Sequence, residues 1–158
     1  LLLYTGQRRS DVVRMGRQHV RGGFLRVVQQ KTGTELEIPM HARLRAVLDA
    51  TPATNLAYLV TAFGKPFSPA GFTNWFHDCC VEAGLRVGLS PHGLRKSISR
   101  RLAEAGCTPH QIKAITGHKG LDEVSMYTEA AGQKRLASSA MDQVEVAFGG
   151  ARKGTASD

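Results

Sequence analysis

The chain has 158 residues, 42% of them hydrophobic, which suffices for one globular domain with its own core. Its formal net charge of +8 favours a polyanionic partner, and no apolar run approaches the roughly 20 residues of a membrane-spanning helix. The three cysteines contain no C-x-x-C pair, which argues against a disulfide framework or a cysteine metal site. We expect reduced thiols in a cytoplasmic protein.

The positive charge is concentrated in two blocks of the sequence. Residues 8–31 contain seven arginines and lysines against one acid, Asp11, and residues 86–119 again contain seven against Glu104 alone. If the fold brings the two blocks together, they form one positive surface, for which nucleic acid is the natural partner. The alternative is a basic face that binds nothing, and charge alone leaves it open.

The first half of the chain predicts a short helix, a β-hairpin and a second helix. The spacing of Val12, Val13 and Met15 is helical. A β-rich run at 24–29, a Lys-Thr-Gly turn and an alternating segment at 35–39 predict two antiparallel strands. The remaining segments of this half are a helix at 41–50, with Leu44, Val47 and Leu48 at helical spacing, and a minor strand at 58–60.

The second half predicts a series of helices. Ser68 and Pro69 supply a cap and a first helical residue, and a stripe at i, i+3 and i+4 spacing follows, which we expect to be buried. The stripe consists of Phe72, Trp75, Phe76, Cys79 and Cys80. Further helices are expected at about 91–105, from 109 to the glycine at 117, at 121–130 and, as an amphipathic closing helix, at 133–148.

These elements predict a fold that is mainly α with a small antiparallel β-sheet, an α+β domain. It is expected to span residues 1–148. The tail at 149–158 is expected to be disordered because it offers little to bury. The apolar opening of the chain looks like the end of a helix, so we expect a piece of a longer protein.

The helix predicted at 91–105 carries a histidine and an arginine beside its apolar stripe. Leu94, Ile98, Leu102 and Ala105 form that stripe and are expected to be buried. At 100° per residue, His92, Arg95 and Ser99 fall together at its margin. They can therefore point into one cleft, although a solvated helix edge is equally compatible with this pattern.

The stretch from Gly117 to Tyr127 joins two further polar groups. Gly117 is expected to end a helix in the left-handed conformation and so to fix where His118 leaves the backbone. On the next helix, Val124 and Thr128 share the apolar face and Tyr127 lies off it. A single histidine or tyrosine is usually structural, so the pair alone decides nothing.

The polar inventory as a whole fits transesterification at a phosphodiester. Arginines bind non-bridging oxygens bidentately, a tyrosine oxygen can attack phosphorus, and a lysine or histidine can protonate the departing sugar oxygen. No cluster of acids suggests a magnesium site, which disfavours a two-metal nuclease; no cofactor and no metal are expected. The candidate residues are Arg8, Lys31, His92, Arg95, His118 and Tyr127.

At its amino-terminal end the sequence resembles the tyrosine recombinase (phage integrase) family. "TGQRRSD" is similar to the first family motif, so that Arg8 matches the first catalytic arginine. Asp11 stands in place of the usual supporting glutamate. Lys31 in "KTG" matches the lysine of the hairpin turn.

The resemblance continues through the second basic block. "HGLR" matches the family's H-x-L-R motif and gives His92 and Arg95. "TGH" matches its L-G-H motif and gives His118, with Thr116 where the family has leucine. The family's nucleophile follows that histidine by nine residues, where this chain has Tyr127. All six positions occur in order along essentially the whole chain.

The resemblance implies cleavage of duplex DNA through a 3′-phosphotyrosyl intermediate at Tyr127, without metal or cofactor, in the integration or excision of a mobile element. It also implies roles for the remaining residues. Arg8 and Arg95 would bind the scissile phosphate, and His118 would add a hydrogen-bond donor to it. Lys31 would be the general acid for the leaving group. His92 would assist proton transfer or support the phosphate, and Asp11 would have a supporting role.

The resemblance implies double-stranded DNA and further copies of the protein as partners, and no membrane. Family members act as tetramers on paired sites, and a carboxyl-terminal helix commonly docks on the neighbouring protomer. The helix at 133–148 is the candidate for that docking, and packing on its own domain is the alternative. The family's amino-terminal core-binding domain is not expected within this chain, and the protein is expected to be bacterial or phage-encoded, cytoplasmic and nucleoid-associated.

Three other functions remain compatible with parts of the pattern. A type IB topoisomerase uses a similar pocket but reseals the same strand, and the short chain with its TGH-to-tyrosine spacing favours the recombinase. A non-catalytic DNA-binding module on the same fold would tolerate loss of Tyr127. A metal-dependent nuclease would be inhibited by EDTA.

Overall fold

The computed structural model describes residues 1–52 and 54–148, so the predicted disordered tail lies outside the described residues. The described part is mostly helical with one small antiparallel sheet, which confirms the predicted fold class. Its elements in chain order are α1 (Leu2–Thr5), α2 (Arg9–Val12), a 3-10 turn (Arg17–His19), β1 (Val20–Arg21), β2 (Phe24–Val28), β3 (Glu35–Pro39), α3 (Ala42–Ala50), α4 (Pro69–Glu82), α5 (Pro91–Glu104), α6 (Pro109–Thr116) and α7 (Asp122–Phe148).

The sheet contains the predicted hairpin and one strand more. Strands β2 and β3 pair antiparallel, with Leu25 opposite Ile38 and Val27 opposite Leu36. Side chains alternate between the two faces of a strand, so Leu25, Val27 and Ile38 form one buried face. The additional strand β1 has only two residues, too few to give a two-residue periodicity in sequence. The residues packed against the buried face include Leu2, Val12, Val13, Met15 and Phe72.

In α3, Leu44 and Leu48 are buried and Val47 is exposed. Two predictions in the middle of the chain, the buried stripe of α4 and the minor strand at 58–60, are wrong in part. In α4, Phe72 and Cys80 are buried, whereas Trp75 is 43% exposed. Phe76 and Cys79 are only half-buried. The minor strand expected at 58–60 is reduced to a single bridge, Val60 to Pro66. Helices α3 and α4 both lie at the surface of the small core. The face of each helix that the core covers is therefore narrower than its apolar stripe.

Helix α5 is the central helix of the second half and buries a different face from the predicted one. Its fully buried row is Pro91, Arg95, Ser99 and Ala103, at i, i+4 spacing. The predicted stripe is half-buried at Leu94, Ile98 and Leu102 and exposed at Ala105. Because α1, α6 and α7 all pack against α5, the face that they cover includes the polar residues Arg95 and Ser99. The consequence is that Arg95 faces the interior.

Helix α7 is one continuous helix where two were predicted. Residue Gly132 does not break it, in keeping with a glycine cost of only about 1 kcal/mol inside a helix. Val124 near its start is buried, but the described side chains from 135 to 148 are exposed. The alternative that this half packs on its own domain is therefore wrong. Among the described residues, no helix is both long and apolar enough to cross a membrane.

Candidate active site

A cleft of about 350 Å³ lies where α2, the β2–β3 turn, α5, the α6–α7 loop and α7 meet. All six residues predicted as catalytic line it, and they come from five separate parts of the chain. Both basic blocks therefore contribute to one cationic surface, as expected. The cleft also contains residues that the sequence did not single out as a site: Lys96, Glu123 and Met126.

Arg8 is held at the cleft by a buried pair of glutamines. It precedes the first residue of α2, and its Nη1 donates to Gln29 Oε1 at 3.1 Å. The Gln29 amide in turn donates to Gln7 Oε1 at 2.7 Å and to the Thr116 carbonyl at 2.9 Å. Gln7 donates to the Ile115 carbonyl at 2.8 Å. Gln7 and Gln29 thus connect the start of α2, the hairpin and the end of α6. The hydrophobic periodicity of the sequence did not indicate this role for either glutamine.

Arg95 is a buried cation with one nitrogen left free. It is 2% exposed, and its Nη1 donates to the carbonyls of Gly6 and Thr116, both at 2.6 Å. Its Nη2 has no hydrogen-bond partner within the described part of the chain. Burial, and then repulsion from Arg8, lowers its pKa to about 10, so it is still charged at neutral pH. A fixed, uncompensated guanidinium of this kind is a preformed site for an anion.

His118 follows the glycine that ends α6, as predicted. Gly117 has a φ of 67°, the left-handed conformation. The His118 side chain is 9% exposed, and its Nδ1 lies 2.6 Å from Thr116 Oγ1. Burial, and then the charge of Arg95, lowers its pKa to about 4. His118 is therefore a neutral imidazole at physiological pH.

Two further titratable groups flank His118. His92 lies at the exposed start of α5, and partial desolvation followed by the charges of Lys96 and Arg95 lowers its pKa. Glu123, in the first turn of α7, has its Oε2 3.6 Å from His118 Nε2. It is the one acid among the described residues that line the cleft.

Tyr127 has a packing role as well as a place in the cleft. Its ring is half-buried and packs against the cluster of Ala103, Ile112 and Val124, while it also lines the cleft. The prediction that it lies off the apolar face is therefore only half right. Packing on one side of the ring fixes its position at the cleft wall.

Asp11 lies beside the cleft and not in it. Its Oδ1 accepts a hydrogen bond from the Gln30 backbone N–H at 2.8 Å, next to the exposed Lys31 of the hairpin turn. Its Oδ2 is buried and has no partner among residues 1–52 and 54–148. Asp11 thus ties α2 to the turn that carries Lys31, a position consistent with a supporting role.

The positive surface extends beyond this cleft. A larger cleft of about 900 Å³ is lined by Arg14, Arg21 and Arg26, among others. Arg26 is paired with Glu35 at 2.9 Å. The described residues contain no group of three or more histidines, cysteines and acids placed to hold a metal ion. Their cysteines Cys79, Cys80 and Cys107 are all free.

The Gly117→Ala substitution tests the connection between α6 and the glutamine pair. A Cβ at 117 would contact the Gln29 side-chain amide and lie 2.8 Å from Leu36 Cδ1, in addition to adopting a left-handed backbone. We expect the free energy of unfolding, measured by urea denaturation, to fall by about 2–4 kcal/mol. Gly33→Ala is the control, because Gly33 has a φ of 68° and open space around it. Equal losses in both variants would contradict the packing described here.

Known proteins resemble the chain in sequence and in structure. The tyrosine recombinase XerC of Lactobacillus delbrueckii subsp. bulgaricus is 27% identical over 104 residues, covering 66% of this chain and 35% of that protein. A crystal structure of a lambda integrase (75–356) dimer bound to a COC′ core site superposes with a TM-score of 0.67 at 26% identity, over 80% of this chain and 49% of that one.

A crystal structure of a lambda integrase tetramer bound to a Holliday junction superposes with a TM-score of 0.67 at 25% identity, over 83% of this chain and 41% of that one. The chain thus spans about a third of the XerC recombinase and less than half of either integrase chain. Residues 1–134 match the model of the phage integrase family. The chain therefore belongs to the phage integrase family.

Proposed function

We propose that residues 1–148 form the catalytic domain of a site-specific DNA recombinase that cleaves and rejoins duplex DNA through a 3′-phosphotyrosyl link at Tyr127. The observation that carries this proposal is the shared cleft. Tyr127, Arg95 and Arg8 line the same 350 Å³ space, and the buried Nη2 of Arg95 has no hydrogen-bond partner among the described residues. A nucleophile and a preformed anion site are thereby placed side by side.

The cations of the cleft bind and polarise the scissile phosphate. Arg95 contributes Nη2 while its Nη1 is fixed by two backbone carbonyls, so little reorganisation is needed when the phosphate arrives. Arg8 is oriented by Gln29 and supplies a second guanidinium. Together they balance the charge that develops on the non-bridging oxygens as Tyr127 attacks phosphorus.

Proton transfer to the leaving group is assigned to Lys31. It lies on the hairpin turn at the mouth of the cleft, and its ammonium group can protonate the departing 5′ oxygen. Asp11 fixes that turn through Gln30. His92, at the exposed start of α5, assists proton transfer at the nucleophile or supports the phosphate. The bond energy is retained in the phosphotyrosine, so a 5′-hydroxyl of a partner strand can reverse the step.

The partners proposed are double-stranded DNA and further copies of the protein. One lambda integrase neighbour is a dimer on a core site and another is a tetramer on a Holliday junction. Both clefts described above are lined in part by the β2–β3 hairpin and contain several arginines or lysines, which can bind phosphates. We further propose a cytoplasmic, bacterial or phage-encoded protein that acts on the DNA of a mobile element.

The carboxyl-terminal half of α7 is the element proposed to join protomers into a tetramer. Its exposed apolar residues recur every four positions along one stripe, which leaves them free for a neighbouring copy. The members of the stripe include Leu136, Val144 and Phe148.

Replacing two members of that stripe tests the assembly. We expect Leu136→Ser with Val144→Ser to remove the tetramer from protein–DNA complexes sized by light scattering, because two apolar contacts are lost from each interface. The melting temperature should change little, since both side chains are exposed. Val146→Ser is the control, because Val146 is 87% exposed and lies on another side of the helix. Tetramers that persist in the double variant would contradict the proposed interface.

Covalent capture tests the proposed activity even though the target site is not specified in advance. Nicked suicide duplexes with randomised sequence around the scissile phosphate are incubated with the protein, and complexes that survive denaturing electrophoresis are recovered and sequenced. We expect an SDS-stable complex that forms equally well with EDTA present. DNA binding without any covalent complex would indicate a non-catalytic module, and EDTA-sensitive hydrolysis would indicate a metal-dependent nuclease; either result overturns the proposal.

A further inference from the structure

The cleft that we propose for the scissile phosphate already contains one negative charge in the free protein. Glu123 is the one acid among the described residues that line it, and its Oε2 lies 3.6 Å from His118 Nε2. That separation is too long for a hydrogen bond, but it places a carboxylate beside a group of the phosphate site. The carboxylate also favours the charged forms of Arg95 and His92. Glu123 thus acts on three of the candidate residues of the cleft.

From this arrangement we infer that Glu123 determines which anions the cleft accepts: its carboxylate disfavours free phosphate and is displaced by the scissile phosphate of a bound duplex. The inference rests on the proposed function and adds a specificity-determining residue to it. It gives Glu123 no part in the making or breaking of bonds, and it leaves the roles proposed for the cations, the histidines and Tyr127 unchanged.

Free phosphate and the Glu123 carboxylate compete for the same positive charge. Arg95 lines the cleft with Glu123, and the Nη2 of Arg95 has no hydrogen-bond partner among the described residues. An anion bound to Arg95 therefore shares a space of about 350 Å³ with the carboxylate, and two negative charges at such distances repel each other. A free phosphate carries about 1.5 negative charges at neutral pH, against one for a phosphodiester of DNA. The repulsion is therefore larger for free phosphate.

A duplex can displace the carboxylate where a free anion cannot. Its other phosphates contact cations outside this cleft, and Arg14 and Arg21 of the larger cleft are available for such contacts. The scissile phosphate is then presented at a high effective concentration. The Glu123 side chain is 75% exposed at the start of α7, so its carboxylate can turn into solvent when the phosphate is bound. In that position it does not oppose the charge that develops during the reaction.

An acid in the first turn of a helix also has an effect that is purely structural. The positive end of the helix dipole stabilises Asp122 and Glu123 alike, because both lie in the first turn of α7. Asp122 is exposed and does not line the cleft. Asp122→Asn therefore removes the same dipole interaction without changing the charge in the cleft, and it is the matched control for Glu123→Gln.

Thermal denaturation in the presence of inorganic phosphate tests the inference without any DNA. At constant ionic strength, we expect phosphate to stabilise Glu123→Gln at concentrations roughly two- to fivefold lower than wild type requires, the size of one exposed charge interaction. Without phosphate, both variants should melt slightly below wild type, since each loses a favourable interaction with the helix dipole. Asp122→Asn should respond to phosphate as wild type does. An equal response to phosphate in all three proteins would overturn the inference.

Covalent capture supplies a readout that a merely structural role of Glu123 would not change. With a duplex recovered by the randomised capture, Glu123→Gln should form the adduct at saturating DNA at least as fast as wild type. Added inorganic phosphate should inhibit this variant at roughly two- to fivefold lower concentrations than it inhibits wild type or Asp122→Asn. Slower adduct formation by Glu123→Gln in phosphate-free buffer would overturn the inference, because the carboxylate would then assist the reaction. Absence of any adduct from wild type would refute the proposed function, while the phosphate dependence of denaturation would stand by itself.

Discussion

Tyr127→Phe is expected to abolish covalent capture of DNA, with a loss of at least about 10³-fold in adduct yield. The substitution removes only the phenol oxygen that we propose to attack phosphorus. The ring that packs on Ala103, Ile112 and Val124 stays in place, so the fold and the affinity for DNA should be preserved. The measurement is quantitation of the SDS-stable complex on nicked suicide duplexes, beside a gel shift of the same samples.

Tyr58→Phe is the matched control for this prediction. Tyr58 is a half-buried tyrosine packed at the edge of the sheet core, and it does not line the cleft. Loss of the Tyr58 hydroxyl group should leave adduct formation unchanged. An adduct that forms at an undiminished level in Tyr127→Phe would place the nucleophile elsewhere.

The second large effect is expected for Arg95→Lys. Lysine preserves the charge, but its three N–H donors all radiate from one nitrogen and cannot reproduce the planar fork that holds the carbonyls of Gly6 and Thr116 with one nitrogen and leaves another for phosphate. We expect the single-turnover rate of adduct formation at saturating DNA to fall about 10²–10³-fold. The affinity for DNA should change less, because phosphates outside the cleft contact other cations.

Arg101→Lys provides the comparison on the same helix. Arg101 is exposed near the end of α5 and does not line the cleft, so this variant should react at the wild-type rate. A rate for Arg95→Lys within a factor of about two of wild type would show that charge alone suffices, contrary to a site built on a fixed guanidinium.

The candidate residues that line the cleft could be predicted from the sequence because each belongs to a short local motif. A recognisable position in its own segment identifies each of Arg8, Lys31, Arg95 and Tyr127. Their order along the chain then indicated that they belong to one site. The hairpin could also be predicted, since β2 and β3 have the alternation of a half-buried sheet. Local signals of this kind do not depend on the tertiary contacts.

The parts that could not be predicted depend on what surrounds each element. Arg95 was expected at the margin of an apolar stripe and lies in the buried row of α5, because helices pack on several sides of it. Gln29 and Gln7 connect three segments through hydrogen bonds between residues far apart in the sequence, and no periodicity reports such contacts.

The extent of α7 illustrates the same limit. Two helices were predicted, at 121–130 and 133–148, yet one helix continues through Gly132 because one glycine costs little beside the hydrogen bonds of the flanking turns. Its periodic apolar residues correctly predicted an amphipathic segment. They did not say whether the apolar face is covered within the domain, and in the structure it is exposed.

The most direct test of the central claim is the chemical identity of the covalent complex. Adduct recovered from suicide duplexes is digested with a protease and a nuclease, and the modified peptide is sequenced by mass spectrometry. We expect a nucleotide joined through its 3′ phosphate to Tyr127, and a free 5′-hydroxyl on the released strand. A link to any other residue, a 5′-phosphate link to the protein, or cleavage without a protein adduct would contradict the proposed mechanism.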